Sequence, residues 1–159
     1  MTCKKLVKVG IGYDIHRLLE GSKLIIGGIE INFEKGSVGH SDGDALIHSI
    51  VDALLGAAGL GNIGERYPDT DEKFLGADSL ALLADTAKAV NEASWKIANV
   101  DCTVVLENPK LSPHREEMEN LLSKAVGAPV TVKGRRPEGL GALGREEGIV
   151  CFAIALVSR

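Results

Sequence analysis

The chain has 159 residues, 45% hydrophobic and 25% charged, so one domain spanning 1–159 can bury its own core, and a disordered chain is excluded. A net charge of −4 argues against a nucleic-acid polymer as partner, and no apolar run reaches the ~20 residues of a membrane span. Met1-Thr2-Cys3-Lys4-Lys5 leads into a strand pattern rather than a secretory segment, so a cytoplasmic protein is expected, and Cys3, Cys102 and Cys151 lack the spacing of a disulfide framework or a zinc ribbon.

Leu6 to His16 reads as the first strand. Side chains alternate in an extended chain, so Gly10, Gly12, Asp14 and His16 share one face, which leaves room for something to approach. G-I-G is not followed by a third glycine or a helix, so it is no dinucleotide fingerprint. Lys23 to Ile26 and Ile29 to Ile31 form a bent or paired strand broken at Gly27-Gly28. His40-Ser41-Asp42-Gly43-Asp44 then opens a helix, with Ser41 or Asp42 as N-cap ahead of the apolar run Ala45, Leu46, Ile47, Ile50, Val51, Leu54 and Leu55. His48 and Asp52, four apart, lie on one face of it.

The glycines from Gly59 to Gly64 stop that helix, and the polar loop to Gly76 is placed to line a pocket. Asp78 or Ser79 caps a second helix, and Val100 to Leu106 is a strand. Ser112 as N-cap and Pro113 as first residue open a third helix. Val130 to Lys133 and Ile149 to Val157 are strands, the last so apolar that burial on both faces is expected. The class is α+β, or mixed α/β, with a four- or five-stranded sheet covered on one face by three helices. Three helices cover only one face, so another subunit is the expected lid for the second.

Asp14, His16 and His48 form either a three-ligand metal site with an open fourth position or a hydrogen-bonded core cluster. Lys133, Arg135, Arg136 and Arg145 crowd into one stretch of an acidic chain, which suits a small anionic ligand or is a solvated basic loop.

Gly-Tyr-Asp-Ile-His (12 to 16), His-Ser-Asp-Gly-Asp (40 to 44) with His48 and Asp52, Tyr-Pro-Asp-Thr-Asp (67 to 71), Asn-Pro-Lys-Leu-Ser-Pro-His (108 to 114) and Gly-Arg-Glu-Glu-Gly (144 to 148) fall in the order seen in the 2-C-methyl-D-erythritol 2,4-cyclodiphosphate synthase family, which the chain resembles over nearly its whole length. The resemblance implies a homotrimer with sheets facing the three-fold axis and active sites between subunits. It implies Zn²⁺ on Asp14, His16 and His48, and Mg²⁺ or Mn²⁺ on Glu138 bridging both phosphates; Asp52, on the His48 face of its helix, is read as orienting His48 rather than as catalytic. The implied substrate is 4-diphosphocytidyl-2-C-methyl-D-erythritol 2-phosphate, whose 2-phosphate attacks the β-phosphorus to release CMP. Two divalent cations suit a reaction between two anionic groups. His40 and Ser41 match residues near the transferring phosphate, and Ile63 and Gly64 residues of the substrate pocket. Tyr67, Pro68, Asp69, Thr70 and Asp71 match the segment facing the methylerythritol hydroxyls. Leu106, Pro109, Lys110, Leu111 and Ser112 match the cytidine pocket, Gly134 and Arg135 are further substrate-binding candidates, and Arg145 matches a residue at the trimer axis, where some members hold a prenyl diphosphate.

The chain departs from the family pattern in three places. Lys133-Gly134-Arg135-Arg136-Pro137-Glu138 replaces the usual Lys-Ala-Thr-Thr-Thr-Glu, putting Arg136 where a threonine meets the phosphates; arginine keeps the charge match and changes the geometry. Asn62 stands where an aspartate commonly meets the ribose, with an amide oxygen that still accepts a hydrogen bond. Ala142 replaces a larger aromatic in the axial cavity. Two other functions compete with the synthase: a metal-dependent phosphohydrolase, and a non-catalytic trimer that binds a nucleotide or an isoprenoid diphosphate.

Overall fold

The computed structural model describes residues 5–159, so Cys3 and the reading of Met1 to Lys4 as a lead into a strand lie outside the described residues. The first strand, β1 (Val7–Glu20), runs past its expected end at His16, because Leu18 to Glu20 pair with a short strand that the sequence pattern did not announce, β4 (Lys35–Ser37). Between them β2 (Leu24–Ile26) and β3 (Ile29–Ile31) form an antiparallel hairpin. Its turn needs positive φ at both central residues, and Gly27 and Gly28 supply 61° and 80°. With β5 (Lys96–Val105), β6 (Val130–Arg135) and β7 (Gly148–Ser158), the main sheet is ordered β4-β1-β7-β5-β6. β7 is antiparallel to both β1 and β5, while β6 lies parallel to β5. A parallel pair needs a crossover, and α4 (Arg115–Val126) provides it.

The other helices are α1 (Ala45–Ala58), α2 (Ile63–Arg66), α3 (Ser79–Glu92) and the single turn α5 (Gly141–Gly144). Leu46, Ile47, Ile50, Val51, Leu54 and Leu55 of α1 are all fully buried. A helix apolar on so many sides needs cover from more than one direction: β1 and β7 supply one side and α3 the other. Glycine sets how close α1 comes to the sheet. A methyl on Gly12 would sit 1.8 Å from the Ser49 carbonyl oxygen, and one on Gly10 would sit 2.0 Å from that of Ala53.

Two helix starts differ from expectation. α1 is capped by Asp44 rather than Ser41 or Asp42, since the Asp42 carboxylate is taken by the backbone N–H of Ser79, at 2.9 Å. α4 begins at Arg115, after a turn closed by the N–H of His114 on the Leu111 carbonyl at 2.9 Å, so Ser112 and Pro113 lie in that turn. Asp78 caps α3 as expected, its side chain accepting from the N–H of Leu80.

The helices cover one face of the sheet. On the other, Ile11 (69% exposed), Tyr13 (52%), Phe152 (39%) and Ile154 (49%) form an open apolar surface, with the Tyr13 and Phe152 rings 5.3 Å apart. β7 is therefore not buried on both faces within one protomer: its apolar residues at 152 and 154 face outward, opposite Tyr13 and Ile11 of β1. Among the described residues, no helix is long and apolar enough to cross a membrane.

Candidate metal centre

Alternation along β1 turns Asp14 and His16 to the same side as Gly10 and Gly12, toward α1, and the first turn of α1 brings His48 to meet them. Asp14 Oδ2, His16 Nε2 and His48 Nδ1 close a triangle whose edges are 2.8 Å (Asp14 to His16), 3.2 Å (Asp14 to His48) and 3.2 Å (His16 to His48). Tetrahedral zinc with bonds of about 2.0–2.1 Å holds its ligands about 3.3 Å apart, so two imidazole nitrogens and a carboxylate at this spacing fit Zn²⁺ with one position left for substrate. The remaining polar atoms on the rings are occupied. His16 Nδ1 donates to the Val38 carbonyl at 2.8 Å; a carbonyl only accepts, so the proton sits on Nδ1 and Nε2 keeps its lone pair for the metal. His48 Nε2 lies 2.8 Å from the Ser41 hydroxyl and 3.2 Å from that of Ser79.

Electrostatics at the triangle work in opposition. Burial pushes the Asp14 carboxyl up, but hydrogen bonds from His16 and His48 and the charge of those rings prevail and bring it down to about 2. Burial likewise lowers His16, and hydrogen bonding with Asp14 and Val38 together with the Asp14 charge prevails and raises it. Without a metal, the raised His16 value stabilises the fold fully below about pH 6.5, and that contribution is lost as pH rises through the higher folded value. The depressed Asp14 value contributes above 3.8 and is lost as pH falls toward about 2. Zinc competes with the His16 proton, so its affinity is expected to fall about tenfold per pH unit below the folded His16 pKa. Chelator competition between pH 5.5 and 7.5 checks this, and a flat profile would remove His16 from the ligand set.

Asp44 anchors the N-terminus of α1. Its Oδ1 accepts from the N–H of Ile47 at 3.0 Å and its Oδ2 from that of Gly28 at 2.7 Å, tying helix to hairpin. Burial pushes its pKa up to about 6 against the pull of those N–H groups. Asp52, expected to orient His48, does not do so: its carboxylate accepts from the N–H of Ile63 at 2.9 Å and pins the start of α2. The sequence reading missed Asp42 and Ser79, because the bond between them joins residues 37 apart in the chain.

The triangle opens into a cleft of about 280 Å³ lined by His16, His40, Ser41, His48, Ile63, Gly64, Tyr67, Asp69, Phe74 and Leu82. Phe74 and Leu82 were not expected there; Phe74 meets Tyr67 edge-on at 5.4 Å. Tyr67 presents its ring but turns its hydroxyl toward α3, where it donates to Asp85 at 2.7 Å. Pro68, Thr70 and Asp71 do not line the cleft, and Asp71 instead caps the 3-10 turn Glu72–Phe74. Asn62 caps α2, its amide oxygen accepting from the N–H of Glu65 at 3.0 Å with one lone pair and keeping the second.

A second cleft, about 360 Å³, is lined by Leu106, Pro109, Lys110, Leu111, Ser112, Arg115, Val132, Lys133, Gly134, Arg135 and Arg136. Its charged lining residues are all basic. Arg136 is partly committed, with Nε donating to the Glu107 carbonyl at 3.0 Å and Nη2 to Asn108 Oδ1 at 3.2 Å. Arg115 and Val132 were not expected in this cleft. Glu138, at φ 57° on the loop between β6 and α5, is not part of the donor triangle, and Arg145 donates to Glu147 at 2.6 Å.

Residues 7–158 match the model of the YgbB family. The 2-C-methyl-D-erythritol 2,4-cyclodiphosphate synthase of Caldicellulosiruptor bescii is 50% identical over 155 residues, covering 96% of this chain and 99% of the relative. That of Neisseria gonorrhoeae is 49% identical over 156 residues, covering 96% and 98%. Among solved structures, the bifunctional IspDF of Campylobacter jejuni superposes with a TM-score of 0.93 at 37% identity, covering 98% of this chain and 43% of that longer one. A CDP complex of IspF from Plasmodium falciparum superposes with a TM-score of 0.82 at 34% identity, covering 95% of each. With motif order, fold and donor triangle in agreement, the chain belongs to the YgbB family, that of the 2-C-methyl-D-erythritol 2,4-cyclodiphosphate synthases.

Proposed function

We propose that the chain acts as a single domain that converts 4-diphosphocytidyl-2-C-methyl-D-erythritol 2-phosphate to 2-C-methyl-D-erythritol 2,4-cyclodiphosphate and CMP. The observation that carries this reading is the Asp14, His16 and His48 triangle at the head of a cleft lined by His40 and Ser41. Asp14, His16 and His48 would hold Zn²⁺, which would supply a Lewis acid for the terminal phosphate. His40 and Ser41 hold the phosphate that is attacked. Ile63, Gly64, Tyr67 and Asp69 shape the space for the methylerythritol unit, so that its 2-phosphate oxygen forms the new bond at the β-phosphorus as the bond to CMP breaks. Positioning and charge neutralisation are the main demands of phosphoryl transfer. Glu138 would hold a Mg²⁺ or Mn²⁺, which would supply further positive charge for the phosphates. Asn62 meets the ribose through its amide, whose oxygen keeps a lone pair beside the bond from Glu65.

The basic cleft takes the cytidine end, with Lys110, Arg135 and Arg136 supplying positive charge. It shares no lining residue with the metal cleft, which supports an active site assembled from two subunits. The open apolar face around Ile11 and Ile154 supports a homotrimer with the sheets turned to its axis. Arg145 then stands near that axis.

The test is ³¹P NMR of the protein with the cytidyl substrate, Zn²⁺ and Mg²⁺. Cyclic diphosphate and CMP are expected in equal amounts. Inorganic phosphate instead would favour a phosphohydrolase, and neither product from a zinc-loaded trimer would leave a binding role.

A further inference from the structure

The geometry points to Asp42 and Ser79 as positioning residues that fix the proton of His48 on Nε2 and so present Nδ1 to the metal; this rests on the metal centre proposed above. The argument starts from which groups can donate. Asp42 is bonded to Ser79 twice: its Oδ2 accepts from the backbone N–H at 2.9 Å and its Oδ1 from the side-chain hydroxyl. A carboxylate has no proton to give, so the single hydroxyl proton of Ser79 is committed to Asp42. What Ser79 Oγ offers His48 Nε2, 3.2 Å away, is a lone pair. Ser41 Oγ, 2.8 Å from the same nitrogen, also accepts from the N–H of Gly43 at 3.4 Å. Around Nε2 the structure thus places two hydroxyl oxygens, one of them held as an acceptor by a carboxylate. Nε2 therefore carries the proton and Nδ1, in the donor triangle, keeps its lone pair.

The same pair fixes where the ring sits. Ser79 is fully buried at the first residue of α3, and its N–H is one of the groups a helix start leaves without an internal partner. Asp42 satisfies it from the loop before α1, and the N–H of Asp42 in turn donates to the Ala77 carbonyl at 3.3 Å. Two helix starts are tied together beside the imidazole.

Asp42→Asn separates a polarity role from a merely structural one. The amide keeps the shape and an oxygen to accept the N–H of Ser79. Its NH₂ takes the place of Oδ1, so it gives up the N–H of Asp44 that Oδ1 accepts at 3.2 Å and faces Ser79 Oγ as a donor, which frees the hydroxyl proton to point at His48 Nε2 and favours the tautomer with its proton on Nδ1. Ser79→Ala removes the relay but leaves Ser41 as acceptor. Zinc dissociation constants from chelator competition, with no substrate present, are expected to rise about 10–100-fold for Asp42→Asn and less for Ser79→Ala. Metal-free Tm is read on the same samples. A structural tie alone would lower that Tm and leave the zinc constant within twofold of wild type, which would overturn the proposal. Zinc-free wild type under the same conditions would overturn the metal centre itself, and this assignment with it.

Discussion

His48→Ala is expected to reduce bound zinc from one ion per chain to a trace and to cut CMP release about a thousandfold, the several kcal/mol a Lewis-acid cation contributes at a transferring phosphate. The imidazole closes two of the three edges of the donor triangle, and Asp14 and His16 alone leave a two-ligand site on a single strand. The fold should survive. His48 is only part-buried, whereas the residues around it that hold α1 in place, Leu46, Ile47, Ile50 and Val51, are fully enclosed and untouched. Metal analysis, circular dichroism and the ³¹P assay on one preparation check all three statements. Retained zinc with retained turnover would remove His48 from the site.

Ile11→Asp is the second large effect, and it acts where no substrate is bound. Ile11 is 69% exposed in the protomer and paired with Ile154 across β1 and β7. In a single chain the aspartate meets water and costs little; in the trimer proposed above it would bury three carboxylates in one apolar space, at several kcal/mol each. Sedimentation should therefore show monomers at micromolar concentration, with CMP release down by on the order of a hundredfold or more, since both clefts are then present on each chain but not joined. Zinc binding should persist, because residue 11 points to the opposite face of β1 from Asp14 and His16. A variant that stays trimeric would place the subunit contact elsewhere, and a monomer with full activity would show that one chain suffices.

Much of this was legible in the sequence because it depends on local rules. Strand alternation brought Gly10, Gly12, Asp14 and His16 to one side, helical spacing brought His48 to the same neighbourhood, and Gly27-Gly28 announced the hairpin. What escaped was decided across distance. Asp42 has every local qualification for an N-cap, but Ser79, 37 residues later, claims its carboxylate, and Asp44 caps α1 instead. Asp52 lies on the correct helix face to reach His48, yet the chain returns at Ile63 and offers a nearer donor. β4 is three residues long with a glycine at its centre, too short for a pattern, and it exists because β1 extends to meet it. The outward residues of β7 read as core because an apolar strand residue gives the same pattern whether its face of the sheet is covered or, as at Phe152 and Ile154, open.

The contact of backbone on backbone at Gly10 and Gly12 bears on how the family can drift. Where side chains set the spacing between a strand and a helix, each exchange of one aliphatic residue for another moves the two by a fraction of an ångström, and any pair of ligands they carry moves too. Here the atoms nearest the glycines are main-chain atoms of Ser49, Ala53 and Ala57, with the Ala57 methyl as the one side-chain atom among them. Aliphatic exchanges away from these contacts therefore leave the approach of β1 to α1 unchanged, and that constancy is bought with two positions that tolerate nothing larger than hydrogen.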